Sequence, residues 1–295
     1  MSKTFLVTGA SGFLGSHLAD HLTSKNFKVR LFDKKKSKYK NRNQKMIIGS
    51  TSIYKDLDKA MKKVDIVFHF AASADLNSSN KTPFQTIENN ILGTANVLKA
   101  CLKNKVKKIV FASSIYARSE QGGIYSTSKL SSEMIIEKIC KKSNLKFVIL
   151  RFGTVYGERA NSFNTVQNFV RSANKNKKIF RETIGNELRS YIHVKDVAKI
   201  TYKSLEKKYE NNYFNIFGKK NILVKNLLNR IKKYVPGLKV KYAKKDTKMY
   251  NYKKNPFTYK LRAGKNLRLK KYISIDEGLK KLILWKKLKL QVLYL

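Results

Sequence analysis

The chain has 295 residues, enough for one large domain or for a domain with a smaller lobe. Its 64 Lys plus Arg against 19 Asp plus Glu give a formal charge of +45, a field that attracts polyanions, anionic membrane surfaces and anionic substrates. The basic residues run along the whole chain with no zinc-finger or RNA-binding aromatic signature, which excludes a sequence-specific nucleic-acid reader and leaves biased composition as the simpler account.

In chain order, Phe5, Leu6 and Val7 predict a buried strand. Gly9, Gly12 and Gly15 follow at three-residue spacing and open an amphipathic helix. Gly9 allows a tight turn, Gly12 lets the backbone approach a pyrophosphate, and Gly15 lets helix and strand pack closely. The helix start then offers free N–H groups and a positive dipole end to phosphates. Lys28 to Phe32 is a second strand with Asp33 at its end, eighteen residues beyond Gly15. A carboxylate there accepts ribose hydroxyls and repels a 2′-phosphate, favouring NAD over NADP. Lys34, Lys35 and Lys36 follow at once and pull the other way.

Lys45 to Ile48 predicts a third strand, then a helix around Tyr54 to Lys63. Ile66 to Phe70 is a continuous apolar run, as in a strand covered on both faces. One long helix is expected over about Thr86 to Asn104, a strand over Lys108 to Ala112, a helix over Tyr125 to Ser143, and a sixth strand over Phe147 to Leu150. This alternation implies a parallel sheet with right-handed crossovers. Beyond it, Ser162 to Lys175 and Asn221 to Val235 read as helices, the second stopped by Pro236-Gly237. Lys239 to Lys254 mixes Tyr with Lys and reads as a strand and a loop. Lys286 to Leu295 is basic and apolar, either a packed tail or a surface anchor.

A second constellation is Ser113-Ser114 after the fifth strand, then Tyr125-Ser-Thr-Ser-Lys129. Tyr and Lys four apart share one helix face. An ammonium beside a phenol favours the phenolate and lowers its pKa from about 10, so that it can exchange a proton with a substrate hydroxyl or carbonyl. Ser114, at a strand's carboxyl end, can bond the same oxygen.

With these motifs the chain resembles the extended short-chain dehydrogenase/reductases, in the NAD-dependent nucleotide-sugar epimerase/dehydratase group. The matching stretches are Thr8-Gly-Ala-Ser-Gly-Phe-Leu-Gly-Ser-His-Leu18, His69-Phe-Ala-Ala72, Asn90-Ile-Leu-Gly-Thr94, Phe111-Ala-Ser-Ser114, Tyr125 to Lys129 and Arg151-Phe-Gly-Thr-Val-Tyr-Gly157. Arg189-Ser-Tyr-Ile-His-Val-Lys-Asp-Val-Ala198, Tyr213-Phe-Asn-Ile-Phe-Gly218 and Asp276-Glu-Gly-Leu279 extend the likeness to about residue 287.

The resemblance implies an α/β fold: a Rossmann-type doubly wound parallel sheet over residues 1–155, to which segments near 188–217 return, and a smaller C-terminal substrate lobe in 156–295. It implies tightly held NAD contacted by Gly9, Ser11, Gly12, Phe13, Leu14, Gly15, Asp33, Ala71, Ala72, Asn90, Tyr125 and Lys129. It further implies Ser114, Tyr125 and Lys129 as the catalytic set, with Ser114 and Arg189 on the substrate, Arg189 at its nucleotide diphosphate. A homodimer through the helices around 86–104 and 125–143 comes from the same likeness.

The departures are specific. Gly49-Ser50 stands where the family usually has Gly-Asp near adenine, and Ala117-Arg118-Ser119 replaces Val-Tyr-Gly. Eleven positions separate Ser114 from Tyr125, fewer than in many relatives, which shortens the loop over the sugar. Arg189-Ser190 and Val194-Lys195 replace the common Arg-Asp and Val-Asp. Sugar 4,6-dehydratases of this kind place Asp-Glu directly after the catalytic Ser or Thr, whereas this chain has Ile115 and Tyr116 and so lacks both proton-transfer groups for elimination. That leaves epimerisation, or simple oxidation and reduction, at one sugar carbon; in C4-type epimerisation Tyr125 would take the hydroxyl proton while hydride passes to NAD and returns to the other face of the keto-sugar. The alternatives are a keto-sugar reductase or another alcohol oxidoreductase of this fold, and a non-catalytic NAD-binding protein.

His69 reads as a strand-end packing residue, and His193 as a structural residue at a helix start. His17 and His21 have metal-compatible spacing but no third ligand, so no metal is expected. Asn90 either steadies backbone near the active site, as the likeness suggests, or is a plain helix-facing amide. Cys101 and Cys140 sit in helical patterns and predict two buried thiols in a reducing compartment. With no signal-peptide core and no stretch of about 18 apolar residues, the protein is expected in the cytoplasm.

Overall fold

The computed structural model describes residues 3–119, 121–243 and 265–291, with side chains described as far as Trp285. β1 (Thr4–Thr8) enters the core at once, with Phe5, Leu6 and Val7 buried, and ends at the glycine turn that opens α1 (Phe13–Thr23). β2 (Lys28–Asp33), β3 (Gln44–Ile48), α2 (Tyr54–Met61) and β4 (Ile66–His69) follow. Two short helices, α3 (Leu76–Lys81) and α4 (Pro83–Ile87), run through a π-helical turn at Glu88–Leu92 into α5 (Gly93–Lys103). β5 (Lys108–Ser114), a 3-10 turn at Ile115–Arg118, α6 (Gly123–Lys141) and β6 (Lys146–Phe152) continue the alternation. After β7 (Thr154–Tyr156) come α7 (Thr165–Asn176), β8 (Lys178–Arg181), β9 (Leu188–His193), α8 (Val194–Lys203) and β10 (Asn212–Ile216). β11 (Asn221–Leu223), α9 (Val224–Tyr234), β12 (Lys239–Tyr242), β13 (Lys265–Asn266) and α10 (Ile275–Gln291) complete the described elements.

Eight strands form one sheet in the order β13-β10-β6-β5-β4-β1-β2-β3, every neighbouring pair parallel. β4 and β5 are buried along their whole length, because a parallel sheet carries its crossover helices on both faces. One side of the core joins Leu6, Val67 and Ile109 from the strands to Leu57, Met61 and Leu98 from α2 and α5. The order 3-2-1-4-5-6 reverses direction between β1 and β4, and in such sheets ligands bind at the carboxyl ends of the strands beside that switch.

Among the described residues the chain divides into two compact units. The first comprises 3–152, 197–216 and 265–268 and contains the large sheet; the second comprises 153–196, 217–243 and 269–291. The second unit has a three-stranded sheet, β11-β9-β7, and a two-stranded one, β12-β8. Its own core gathers Tyr156, Val166, Phe169, Leu227, Leu279 and Leu282.

Several local expectations change. The helix expected over Thr86 to Asn104 is broken by the π-helical turn, where Asn90 is buried and drawn into side-chain bonds described below. Asn221 to Val235 begins as strand and not as helix: Asn221, Ile222 and Leu223 pair antiparallel with Ser190, Arg189 and Leu188, so the open edge of β9 overrides local helical preference. His193 closes β9 and does not begin the helix, which starts at Val194. The readings of residues 244–254 and of the Lys286 to Leu295 side chains lie outside the described residues. Cys101 and Cys140 are both buried and free. Among the described residues, no helix is long and apolar enough to cross a membrane.

Candidate active site

The glycine turn sits at the carboxyl end of β1. Gly9 has φ +68°, a conformation that side chains resist, and a Cβ there would lie 2.6 Å from the Ala71 nitrogen. A Cβ on Gly15 would lie 2.3 Å from the Gly9 carbonyl oxygen, so α1 packs on the turn only without one. A Cβ on Gly12 would meet only the Gly9 oxygen, at 3.2 Å. Gly12 caps α1 without a side chain, which leaves the opening N–H groups available to an anion. Phe13 is buried beneath the turn, while Ser11 and Leu14 are half-buried.

Asp33 reaches this turn from β2. Its Oδ2 accepts from the Ser11 N–H at 3.0 Å and its Oδ1 from the Lys35 N–H at 3.1 Å. Lys34 extends elsewhere, donating to Asn89 Oδ1 at 2.8 Å. A close-packed turn, a bare helix start and a carboxylate beside it fit a dinucleotide: N–H donors for the pyrophosphate and an acceptor for ribose hydroxyls. At the neighbouring strand end, where Gly49-Ser50 departs from the family, the Ser50 N–H donates to Asp56 Oδ2 at 3.1 Å, so a carboxylate from α2 stands there.

A ladder of buried polar groups holds the loop after β4 against the turn. Thr8 Oγ1 lies 2.8 Å from His69 Nδ1 and accepts from the N–H groups of Phe70 and Ala71, each at 3.2 Å. His69 Nε2 lies 3.0 Å from Thr94 Oγ1, which donates to the Asn90 carbonyl at 2.5 Å. Asn90 Oδ1 accepts from the Ser73 N–H at 2.7 Å, and its Nδ2 donates to the Ser73 carbonyl at 3.0 Å and to Ser128 Oγ at 2.9 Å. Ala71 and Ala72 thus lie on a loop pinned at both ends, half-buried themselves. Complete burial pushes the His69 imidazolium down to about 3, with the Lys129 charge adding to the effect, so the ring is neutral. His69 is more than packing, and no local pattern marks the two threonines that bracket it.

β5 and α6 bring the second constellation together. Ser114, Tyr125 and Lys129 are all buried, and Ser114 hydrogen-bonds the Tyr125 phenol. The Lys129 ammonium donates to the Ala112 carbonyl at 2.8 Å and lies 5.9 Å from the centre of the Tyr125 ring. The expected lowering of the Tyr125 pKa is not what this arrangement gives. Burial pushes the phenol up to about 12 against the opposing Ser114 bond, while burial pulls Lys129 down to about 8 against the attraction of Glu133. At this separation, with Lys129 committed to a backbone carbonyl, desolvation outweighs the cation's help.

Glu133 was not singled out from sequence, although it lies eight residues after Tyr125 on the same helix face. It accepts from Ser113 Oγ at 2.5 Å and takes a forked pair from Arg151, Nε at 2.8 Å and Nη2 at 2.7 Å. Arg151 is 1% exposed, in the middle of an apolar strand, and such a charge requires a buried partner. That requirement was the available signal. Arg118, the residue that departs from Val-Tyr-Gly, is also buried and lies 3.8 Å from Glu133 Oε2.

Arg189 belongs to the second unit, on β9. It is buried there, and its Nη1 donates to the Leu188 carbonyl at 3.0 Å. His17 packs edge-on against Phe13, and His21 against Tyr202. Among the described residues no cluster of His, Cys, Asp or Glu can hold a metal ion.

A model of the NAD dependent epimerase/dehydratase family matches residues 5–216. The chain belongs to this family. A putative UDP-glucose 4-epimerase of Methanocaldococcus jannaschii is 29% identical, over 96% of this chain and 98% of its own length. A UDP-N-acetyl-alpha-D-glucosaminuronate decarboxylase of Bacillus cytotoxicus is also 29% identical, over 73% of this chain and 75% of its own. Among solved structures, the UDP-glucose 4-epimerase of Thermotoga maritima with UDP-glucose is 25% identical with a TM-score of 0.82, over 97% of this chain and 99% of that one. These named relatives act on nucleotide sugars, and at equal identity they bear the names of different reactions.

Proposed function

We propose that the protein is a nucleotide-sugar 4-epimerase that uses NAD in a reducing, cytoplasmic compartment. The observation that carries the reading is the buried group of Ser114, Tyr125 and Lys129 beside the glycine turn's sheet edge. The likeness to a putative 4-epimerase over nearly the full length of both chains supports it. NAD supplies the hydride acceptor and donor. Tyr125 first gives its own proton to solvent; as the phenolate its Oη takes the proton of the sugar hydroxyl and later returns it, and the Ser114 hydroxyl holds the same oxygen in place. Lys129, charged below about pH 8, favours the phenolate that this step starts from, against the cost of its burial. Ile115 and Tyr116 carry no carboxylate, so elimination lacks its acid and base. Asp33 selects NAD over NADP, and Arg189 takes the substrate diphosphate.

The test is product analysis. Purified protein with UDP-glucose or UDP-N-acetylglucosamine should yield the C4 epimer without net consumption of added NAD. Stoichiometric NADH formation, or a 4-keto-6-deoxy product, would overturn the epimerase reading. Titration of both cofactors should show tighter NAD binding, and tighter NADP binding would mean that Lys34, Lys35 and Lys36 dominate Asp33.

A further inference from the structure

We propose that the first unit carries a second ligand site, for a nucleoside triphosphate, at the amino-terminal edge of its sheet. A groove of about 1090 Å³ opens there, lined by residues at the starts of β1, β4, β5 and β6. The glycine turn, Asp33 and Ser114 all lie at the opposite, carboxyl edge. The volume is just above the range of small-ligand sites, which run to about 1,000 Å³, and leaves room for a triphosphate beside a base.

The groove has an aromatic floor. Phe5 and Phe27 lie with ring centres 4.5 Å apart, and Phe27 and Tyr202 with theirs 6.0 Å apart. Phe27 and Tyr202 are only half-buried, so ring surface remains for a planar group. Its rim is cationic in excess. The three carboxylates in the lining are already neutralised: Asp65 by Lys107 at 3.0 Å, Glu206 by Lys208 at 2.6 Å and Glu210 by Lys108 at 2.8 Å. Lys3, Lys105, Lys146 and Lys207 also line the groove, are exposed, and among the described residues give their ammonium groups no hydrogen bond or ion pair.

Half-buried aromatic rings with several uncompensated ammonium groups select a planar ring joined to a multiply charged anion. A base stacks on the rings, and phosphates draw in the lysines. A fatty acid brings one charge to four cations and no ring. The groove is concave, so a flat bilayer does not reach its floor.

The probe is ATP carrying an N-methylanthraniloyl fluorophore, titrated into protein saturated with NAD and UDP at about 200 mM salt, where diffuse attraction to a basic surface is weak. Saturable binding, displaced by unlabelled ATP, is expected. The double variant Lys105→Glu/Lys146→Glu should weaken it about tenfold or more, as loss and reversal of two local charges demands. Lys207→Glu alone should weaken it less. The control Lys59→Glu/Lys175→Glu changes net charge equally at residues outside the lining, and should bind as the parent does. All variants should keep the parent's NAD affinity, since none touches the turn. Equal weakening in control and groove variants, equal binding in parent and groove variants, or binding of a single-stranded oligonucleotide without binding of ATP would each overturn the proposal.

Discussion

Tyr125 and His69 show what burial does to single groups. Tyr125→Phe removes one oxygen from a site whose shape is otherwise kept, so turnover should fall on the order of 10²–10⁴-fold while NAD affinity stays near the parent's. Unchanged turnover would remove Tyr125 from the mechanism. His69 gives a pH effect on stability. An unfolded histidine protonates near 6.5, whereas the folded one holds out to about 3. Between those values the unfolded chain carries the extra proton, so stability rises with pH through that window. The contribution is complete above pH 6.5 and fades as pH falls towards about 3. In urea unfolding between about pH 6 and 5, His69→Gln should flatten the slope by up to about 1.4 kcal/mol per pH unit. Equal slopes in variant and parent would mean that the buried ring is already charged. The histidine was visible in the sequence; its two threonine partners were not, because Thr8 and Thr94 meet it only through the fold.

At the scale of elements, the glycine turn makes separable demands on α1 and β1. Gly15→Ala puts a Cβ 2.3 Å from the Gly9 oxygen, a backbone atom that cannot swing away, so helix and strand must part. Gly12→Ala meets only one atom, at 3.2 Å, so the fold should tolerate it while the methyl intrudes where a pyrophosphate approaches. Thermal unfolding and NAD titration should therefore disagree between the two: Gly12→Ala loses affinity near the parent's melting temperature, and Gly15→Ala loses both. Similar melting temperatures for the two variants would remove the packing role from Gly15. Most strands and the α1 and α6 helices were legible because their periodicity and glycine punctuation are local. The π-helical turn was not, since it answers to Asn90 binding Ser73 and Ser128. Nor was β11, whose strand form depends on pairing with β9.

For the whole molecule, charge and exposed apolar surface make opposite predictions about salt. At +45, binding to DNA or anionic vesicles by long-range attraction should collapse between about 50 and 200 mM salt, while turnover of a nucleotide sugar should persist. Vesicle binding that survives the higher salt would point to an apolar anchor. Self-association should not weaken with salt. Phe84, Leu92 and Met134, on α4, the π-helical turn and α6, are 83%, 54% and 53% exposed, apolar surface that a two-fold dimer would cover. Light scattering at micromolar concentration should give a dimer at both salt levels, and a monomer would remove these helices as an interface.

The sequence by itself determined the parallel α/β architecture, the glycine turn with its acid, and the Ser114, Tyr125 and Lys129 set, since each is written in short-range spacing. Tertiary structure alone decided their electrostatics and their supports. Tyr125 and Lys129 share a helix face in any fold, but only packing settles that desolvation raises the phenol and that Lys129 spends a proton on the Ala112 carbonyl. Arg151 needs a buried anion wherever its strand is covered; that the anion is Glu133, joined to Ser113 beside Ser114, follows from how β5, β6 and α6 meet. Local spacing fixes which groups can face one another, whereas burial and partner choice depend on every element that excludes water from them.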